Sequence, residues 1–204
     1  MPKFLLAKKI GMTQLFDPAG QVVPVTLVEA GPLVVIREKT PATDGYQSIQ
    51  VGFGSRREKR IARAERGAWK GLGNFEAVRE IRNLVGKARG ETIGLDQFQE
   101  GEVVKVSGIS KAKGFQGGVK RYGFHGKDAT HGTKHAHRQP GSIGGSGGRA
   151  GGRVAKGMRM AGRMGGDRVT LGTVTIVRID PEKHLVALKG AIPGRRGTLI
   201  EIHD

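Results

Sequence analysis

Apolar and polar positions alternate at both ends of the chain and lose their rhythm in the middle. Phe4–Phe16 is apolar-rich, with Gly11 inside it, and Asp17, Pro18, Ala19 and Gly20 supply a turn. Residues 22–28 are dense in Val and Thr. Pro24 within them marks an edge or a bulge, because proline has no N–H to give to a ladder. Gly31 and Pro32 precede a run at residues 33–37, a polar turn ends at Gly45, and residues 47–53 follow. Residues 102–109 read as a further strand. Residues 170–179 and 184–189 alternate around Asp180, Pro181, Glu182 and Lys183, which predicts a hairpin, and residues 198–202 form a plausible closing strand. Short strands at this spacing predict a small barrel or sandwich rather than an alternating α/β fold. Residues 56–66 break the pattern: their composition favours helix and carries six Lys/Arg against two Glu, a net +4. They are either a solvated helical excursion or a phosphate-facing patch.

The middle is different. Residues 111–168 hold 17 glycines, 13 Lys/Arg, four of the six histidines and two acids, Asp128 and Asp167. Only nine of these 58 residues are Val, Ile, Leu, Met, Phe, Trp or Tyr. Such a segment buries too little apolar surface to offset the entropy of ordering its backbone. Its net charge, 13 − 2 = +11, repels itself, so a polyanion such as nucleic acid is needed to order it. The simplest topology is one β domain made of residues 1–110 and 169–204. Residues 111–168 are then an extended basic arm inserted between two of its strands.

Charge sharpens this picture. The chain carries +17 overall, with a pI near 10.7. Residues 1–110 contribute 17 − 12 = +5 and residues 169–204 only 5 − 4 = +1, so most of the excess belongs to the arm. That asymmetry describes a partner, not a fold. Cysteine is absent, which removes disulfides and thiolate chemistry. No apolar stretch has transmembrane length and none resembles a signal-peptide core. A soluble intracellular protein is expected, with no membrane partner.

Within the arm, His131, His135 and His137 form an H-x3-H-x-H cluster. With Lys134 and Arg138 between and beside them, and Asp128 the one nearby carboxylate, phosphate or base contacts suit them better than a metal. The run from Gly141 through Ser142, Ile143, Gly144, Gly145, Ser146, Gly147 and Gly148 lacks the spacing of a nucleotide-binding P-loop. Its glycines instead let backbone N–H groups approach a phosphate closely. Arg149, Arg153, Lys156, Arg159, Arg163 and Arg168 then recur at intervals that suit tracking of a phosphate backbone. Phe115, Tyr122 and Phe124 sit among Lys111, Lys113, Lys120, Arg121 and Lys127, either to stack on bases or to anchor the arm. Met158, Met160 and Met164 read as packing contacts. No nucleophile elbow and no paired carboxylates point to catalysis.

Six motifs occur in one order. They are Lys8-Lys9-Ile10-Gly11-Met12-Thr13; Ser107-Gly108-Ile109-Ser110-Lys111-Ala112-Lys113-Gly114-Phe115-Gln116-Gly117; Asp128-Ala129-Thr130-His131-Gly132; His137-Arg138-Gln139-Pro140-Gly141-Ser142-Ile143-Gly144; Met160-Ala161-Gly162-Arg163-Met164-Gly165; and Lys189-Gly190-Ala191-Ile192-Pro193-Gly194. In this order the chain resembles, over essentially its full length, the bacterial large-subunit ribosomal protein L-three family. The resemblance implies a mainly β fold: a small closed β-barrel with a long, irregular, glycine-rich basic extension and at most short helices. It implies a structural, non-enzymatic constituent of the large ribosomal subunit in the cytoplasm. Such a protein binds large-subunit rRNA, nucleates early assembly and touches neighbouring ribosomal proteins. The expected rRNA contacts are the cations and histidines named above, with Lys8, Lys9, Arg56, Arg57 and Arg60 from the β domain. The arm tip, about Ser142 to Val154, is expected near the peptidyl-transferase centre, with Ser142 to Arg149 at its heart. No small-molecule substrate or cofactor is expected, and any metal nearby is Mg2+ belonging to the rRNA. Fully extended, two limbs of about 29 residues at roughly 3.3 Å each set an upper reach of about 95 Å.

Overall fold

The computed structural model of the chain describes residues 3–82, 86–144 and 152–204. They divide into two compact units, residues 1–110 with 168–204, and residues 111–167.

The first unit is built on β1 (Phe4–Phe16), β2 (Val22–Glu29), β3 (Leu33–Lys39), β4 (Ser48–Phe53), β5 (Ala77–Arg82), β6 (Thr92–Ile93) and β7 (Val103–Ile109). After the second unit, which carries β8 (Gly114–Gln116) and β9 (Gly162–Met164), come β10 (Arg168–Asp180), β11 (Leu185–Lys189) and β12 (Leu199–His203). Six antiparallel strands close a barrel in the order β1, β12, β7, β10, β11 and back through β2 to β1. Strands β5, β4, β3 and β6 form a second, four-stranded sheet. The fold is mainly β, and its helices are short: α1 (Pro41–Asp44), α2 (Arg63–Ala68) and α3 (Gly118–Tyr122).

Sequence explains much of this. Closure buries alternate residues such as Val104 and Val106, Val174 and Ile176, Ile200 and Ile202. Leu5, Leu6 and Ala7 are all buried, which an alternating strand allows only where both its faces are covered. The second sheet supplies Leu33, Val35, Ile49, Val51 and Ile81 to the same core. Pro24 lies where the β2–β11 ladder stops, opposite Gln14 of β1; its carbonyl accepts from the N–H of Gly190 (2.8 Å). Strand β1 bulges between Lys9 and Gly11. Strands β7 and β10 pair directly, with Ile109 opposite Arg168, so residues 110–167 are the connection of one antiparallel pair. Ser107 and Thr170, opposite each other in that ladder, share a 2.7 Å hydroxyl hydrogen bond.

Residues 56–66 do not form the single helix their composition favours. A 3-10 turn at Glu58–Arg60 and helix α2 flank Ile61, which is buried with Ile36, Trp69 and Phe75 in a satellite core. Burying Ile61 outweighs helix propensity there, since a continuous solvated helix would leave it in water. Trp69 and Phe75 meet edge to face at 5.5 Å. Ala62 caps the N-terminus of helix α2, and its N–H donates to the Glu65 carboxylate (3.3 Å).

Candidate nucleic-acid interface

In the second unit, β8 and β9 pair antiparallel, setting Gly114, Phe115 and Gln116 opposite Met164, Arg163 and Gly162. The Lys113 N–H extends the ladder to the Met164 carbonyl (2.9 Å). Gly165 follows with φ +72, and a Cβ there would lie 2.2 Å from the Lys111 carbonyl oxygen, so only glycine lets the two limbs approach this closely. Helix α3 ends in a left-handed residue, Gly123. Further along, Gly126 does for the His137 carbonyl what Gly165 does for that of Lys111; the Lys127 N–H donates to this oxygen (3.0 Å).

The aromatic residues divide. Tyr122 and Phe124 lie 6.0 Å apart, with the guanidinium groups of Arg121 and Arg159 over the Tyr122 ring at 4.9 and 5.7 Å. Arg121 also donates to the Met160 carbonyl (2.8 Å). These two arginines are therefore partly engaged in holding the unit together. Phe115, in contrast, is 78% exposed.

Lys111, Lys113, Lys120, Lys127, Lys134, Arg138, Arg153, Lys156, Arg159 and Arg163 are exposed, as are His131, His135 and His137. His131 sits in a tight turn with φ 55, while His137 places Nδ1 3.2 Å from the Asp128 carbonyl. Among the described residues, no group of three or more His, Cys, Asp or Glu is placed to hold a metal. Of the tip, Ser142, Ile143 and Gly144 are exposed, and Gly145, Ser146, Gly147, Gly148 and Arg149 lie outside the described residues. Every ion pair seen between described residues joins groups of the first unit, from Lys3–Glu102 to Lys183–Asp180. The exposed cations of residues 111–167 thus form a strongly basic surface, in which Asp128 and Asp167 are the two acids.

The first unit splits its candidates. Arg56, Arg57 and Arg60 are exposed and line an open groove of about 650 Å³ with Ser55 and Glu76. Lys8 turns to Glu76 (3.1 Å). Lys9 points its ammonium at the carbonyls of Ile192 (2.7 Å) and Gly194 (3.2 Å), latching the loop before β12 to β1. Arg168 opens β10 inside the first unit and donates to Glu201 (2.5 Å). The individual candidates also understate one region. Residues 56–89 hold eleven Lys/Arg against four acids, 11 − 4 = +7, whereas the rest of residues 1–110 sums to −2. A charge count over a shorter window reveals it. Among the described residues, no helix is long and apolar enough to cross a membrane.

Comparison with known proteins meets this geometry. The family model for ribosomal protein L3 matches residues 83–185. Three curated relatives are each called large ribosomal subunit protein uL3. That of Carboxydothermus hydrogenoformans is 44% identical over 208 aligned positions, covering 100% of this chain and 98% of its own. That of Herpetosiphon aurantiacus is 44% identical, covering 97% and 94%. That of Pelotomaculum thermopropionicum is 44% identical, covering 99% and 96%. Likeness of this extent spans the barrel and the basic segment together, and the chain belongs to the ribosomal protein L3 family.

Proposed function

We propose that the chain is a structural constituent of the large ribosomal subunit that binds large-subunit rRNA directly and helps nucleate early assembly. It works in the ribosome, in the cytoplasm, beside neighbouring ribosomal proteins. The family is a structural component of the ribosome, so the chain is not an enzyme. The arm runs towards the peptidyl-transferase centre, its tip falling at about Ser142 to Val154. The observation that carries the reading is the dense surface of exposed cations on residues 111–167, against only two acids, in a chain matched end to end by large-subunit proteins. Its lysines and arginines neutralise phosphates where RNA helices crowd, and recognition is mainly of shape, backbone and 2′-hydroxyls. The groove at Arg56, Arg57 and Arg60 supplies a second phosphate-facing patch.

Binding to a large-subunit rRNA transcript, measured from low to moderate salt, tests this. With six or more phosphates neutralised, log affinity falls against log salt with a slope of roughly −4 to −5 or steeper. A slope near zero, or equal affinity for duplex DNA, refutes it. Deleting residues 126–158 should impair entry into large subunits in cells or peptide transfer by them. Unchanged incorporation and translation would move the function to the barrel.

A further inference from the structure

We infer that Phe115 is a stacking platform for one unpaired base of the bound RNA, an inference that rests on the RNA-binding reading above. Its ring is the most exposed large apolar side chain among the described residues, at 78%. It is displayed on a fixed ladder, not a loop, because Phe115 is the central residue of β8 and pairs with Arg163 of β9. Directly opposite residues of an antiparallel pair share one face with Cβ atoms about 5 Å apart, so Arg163 leaves the ladder beside the ring, its guanidinium resting near Gly166. The residues before and after Phe115 on β8 face the other way, towards Met164 and Gly162. Nothing on that face therefore crowds the ring from its own strand.

Local charge selects the ligand. Residues 111–127 contain Lys111, Lys113, Lys120, Arg121 and Lys127 and no acid, and residues 152–166 contain Arg153, Lys156, Arg159 and Arg163 and no acid. An exposed phenyl ring inside such a field suits a ligand that is flat, polarisable and anionic. A nucleobase over the ring with its phosphate against Arg163 or Lys113 meets all three demands. The other two aromatics of the segment are not equivalent, since Tyr122 already packs against Phe124 and carries the guanidinium groups of Arg121 and Arg159 over its ring. A protein neighbour would have to bring an apolar patch into a strongly cationic surround, a poorer match.

The full-length protein, with Phe115→Trp, Phe115→Leu and Phe115→Ala variants, is titrated with a large-subunit rRNA transcript free of other proteins. Stacking is worth about fivefold to 150-fold in affinity for one base. Phe115→Trp should bind as tightly as the parent, while Phe115→Leu and Phe115→Ala should lose affinity in that range with the salt slope unchanged. Unchanged thermal midpoints confirm that the variants fold. Short-wavelength ultraviolet crosslinking should attach RNA to the tryptic peptide of residues 114–120 in the parent. Parent-like binding by Phe115→Leu, or equal losses in all three variants, overturns the inference. The first of these outcomes would leave the ring to a protein contact. A parent protein that binds without salt dependence would instead defeat the RNA-binding proposal itself.

Discussion

Lys9 has an expected role at RNA and an observed one within the fold, and replacing it with methionine separates the two. Its sequence neighbourhood suggests a phosphate contact, yet its ammonium donates to the Ile192 and Gly194 carbonyls from a half-buried position. Lys9→Met keeps the aliphatic stem and removes both donors, leaving two carbonyls short of a partner. A hydrogen bond involving a charged group is worth about 1.5–3 kcal/mol net. Because one ammonium serves both carbonyls and retains some solvent, the pair together is set at that same value, about 1.5–3 kcal/mol. For a chain of this size each kcal/mol moves the midpoint by about 2–4 °C, so a loss of roughly 3–12 °C is expected. Differential scanning calorimetry measures it, and rRNA titration over salt measures the other role. The expected result is a lower midpoint with an unaltered salt slope. An unchanged midpoint together with a slope shallower by about 0.7–0.9, the share of one phosphate, refutes the latch.

Other substitutions probe the core, the arm and the acid limb. Ile202→Ala, at a site 1% exposed in the barrel core, should cost about 2–5 kcal/mol in denaturant unfolding. Gly52→Ala would put a Cβ 2.4 Å from the Phe75 ring, so a loss of about 1–3 kcal/mol is expected, partly relieved by Phe75→Leu in the double variant. Gly165→Ala should loosen the two limbs at Lys111, read as faster proteolysis within residues 111–167 while the barrel's midpoint holds. The Lys3 ammonium, then the Gln99 N–H, hold the Glu102 carboxyl below its ordinary range, outweighing the upward push of burial. A lowered folded-state pKa adds stability above the unfolded value that is lost as pH falls through the folded one. Glu102→Gln should therefore flatten the decline of stability below about pH 4.3, and an unchanged acid limb would count against the pairing.

The strands that show in the sequence are those with a wholly local signature. Strands β2, β3 and β11 are β-branched or aliphatic runs bounded by Gly, Pro or Asp, and their period alone identifies them. Strand β5 escapes because three of its six residues are charged and only Ile81 is buried, as suits a sheet edge. The pairing of β12 between β1 and β7 could not be read, because register across nearly two hundred residues leaves no trace in a short window. The three-residue strands β8 and β9 are equally silent: glycine-rich sequence gives no propensity, and the ladder rests on close backbone approach at Gly165. At the site, the sign and location of the charge were legible, since Lys and Arg are counted directly. Which cations face solvent was not. Lys9 and Arg168 look like their neighbours in sequence and differ only in what the fold brings beside them.

The placement of β12 sets a timetable for a chain made from its N-terminus. Leu199–His203 is synthesised after every other described strand, yet it fills the gap between β1 and β7, so the barrel stays an open sheet until this strand is free. The arm emerges earlier. At about 5–20 residues per second it precedes β12 by roughly 2–6 seconds. During that interval the nascent chain presents two unsatisfied strand edges and a bare polycation at once. Both are hazards that a passing strand or a stray polyanion would exploit. Under the proposed function, early capture of the arm by rRNA would remove one of them before the barrel is able to remove the other.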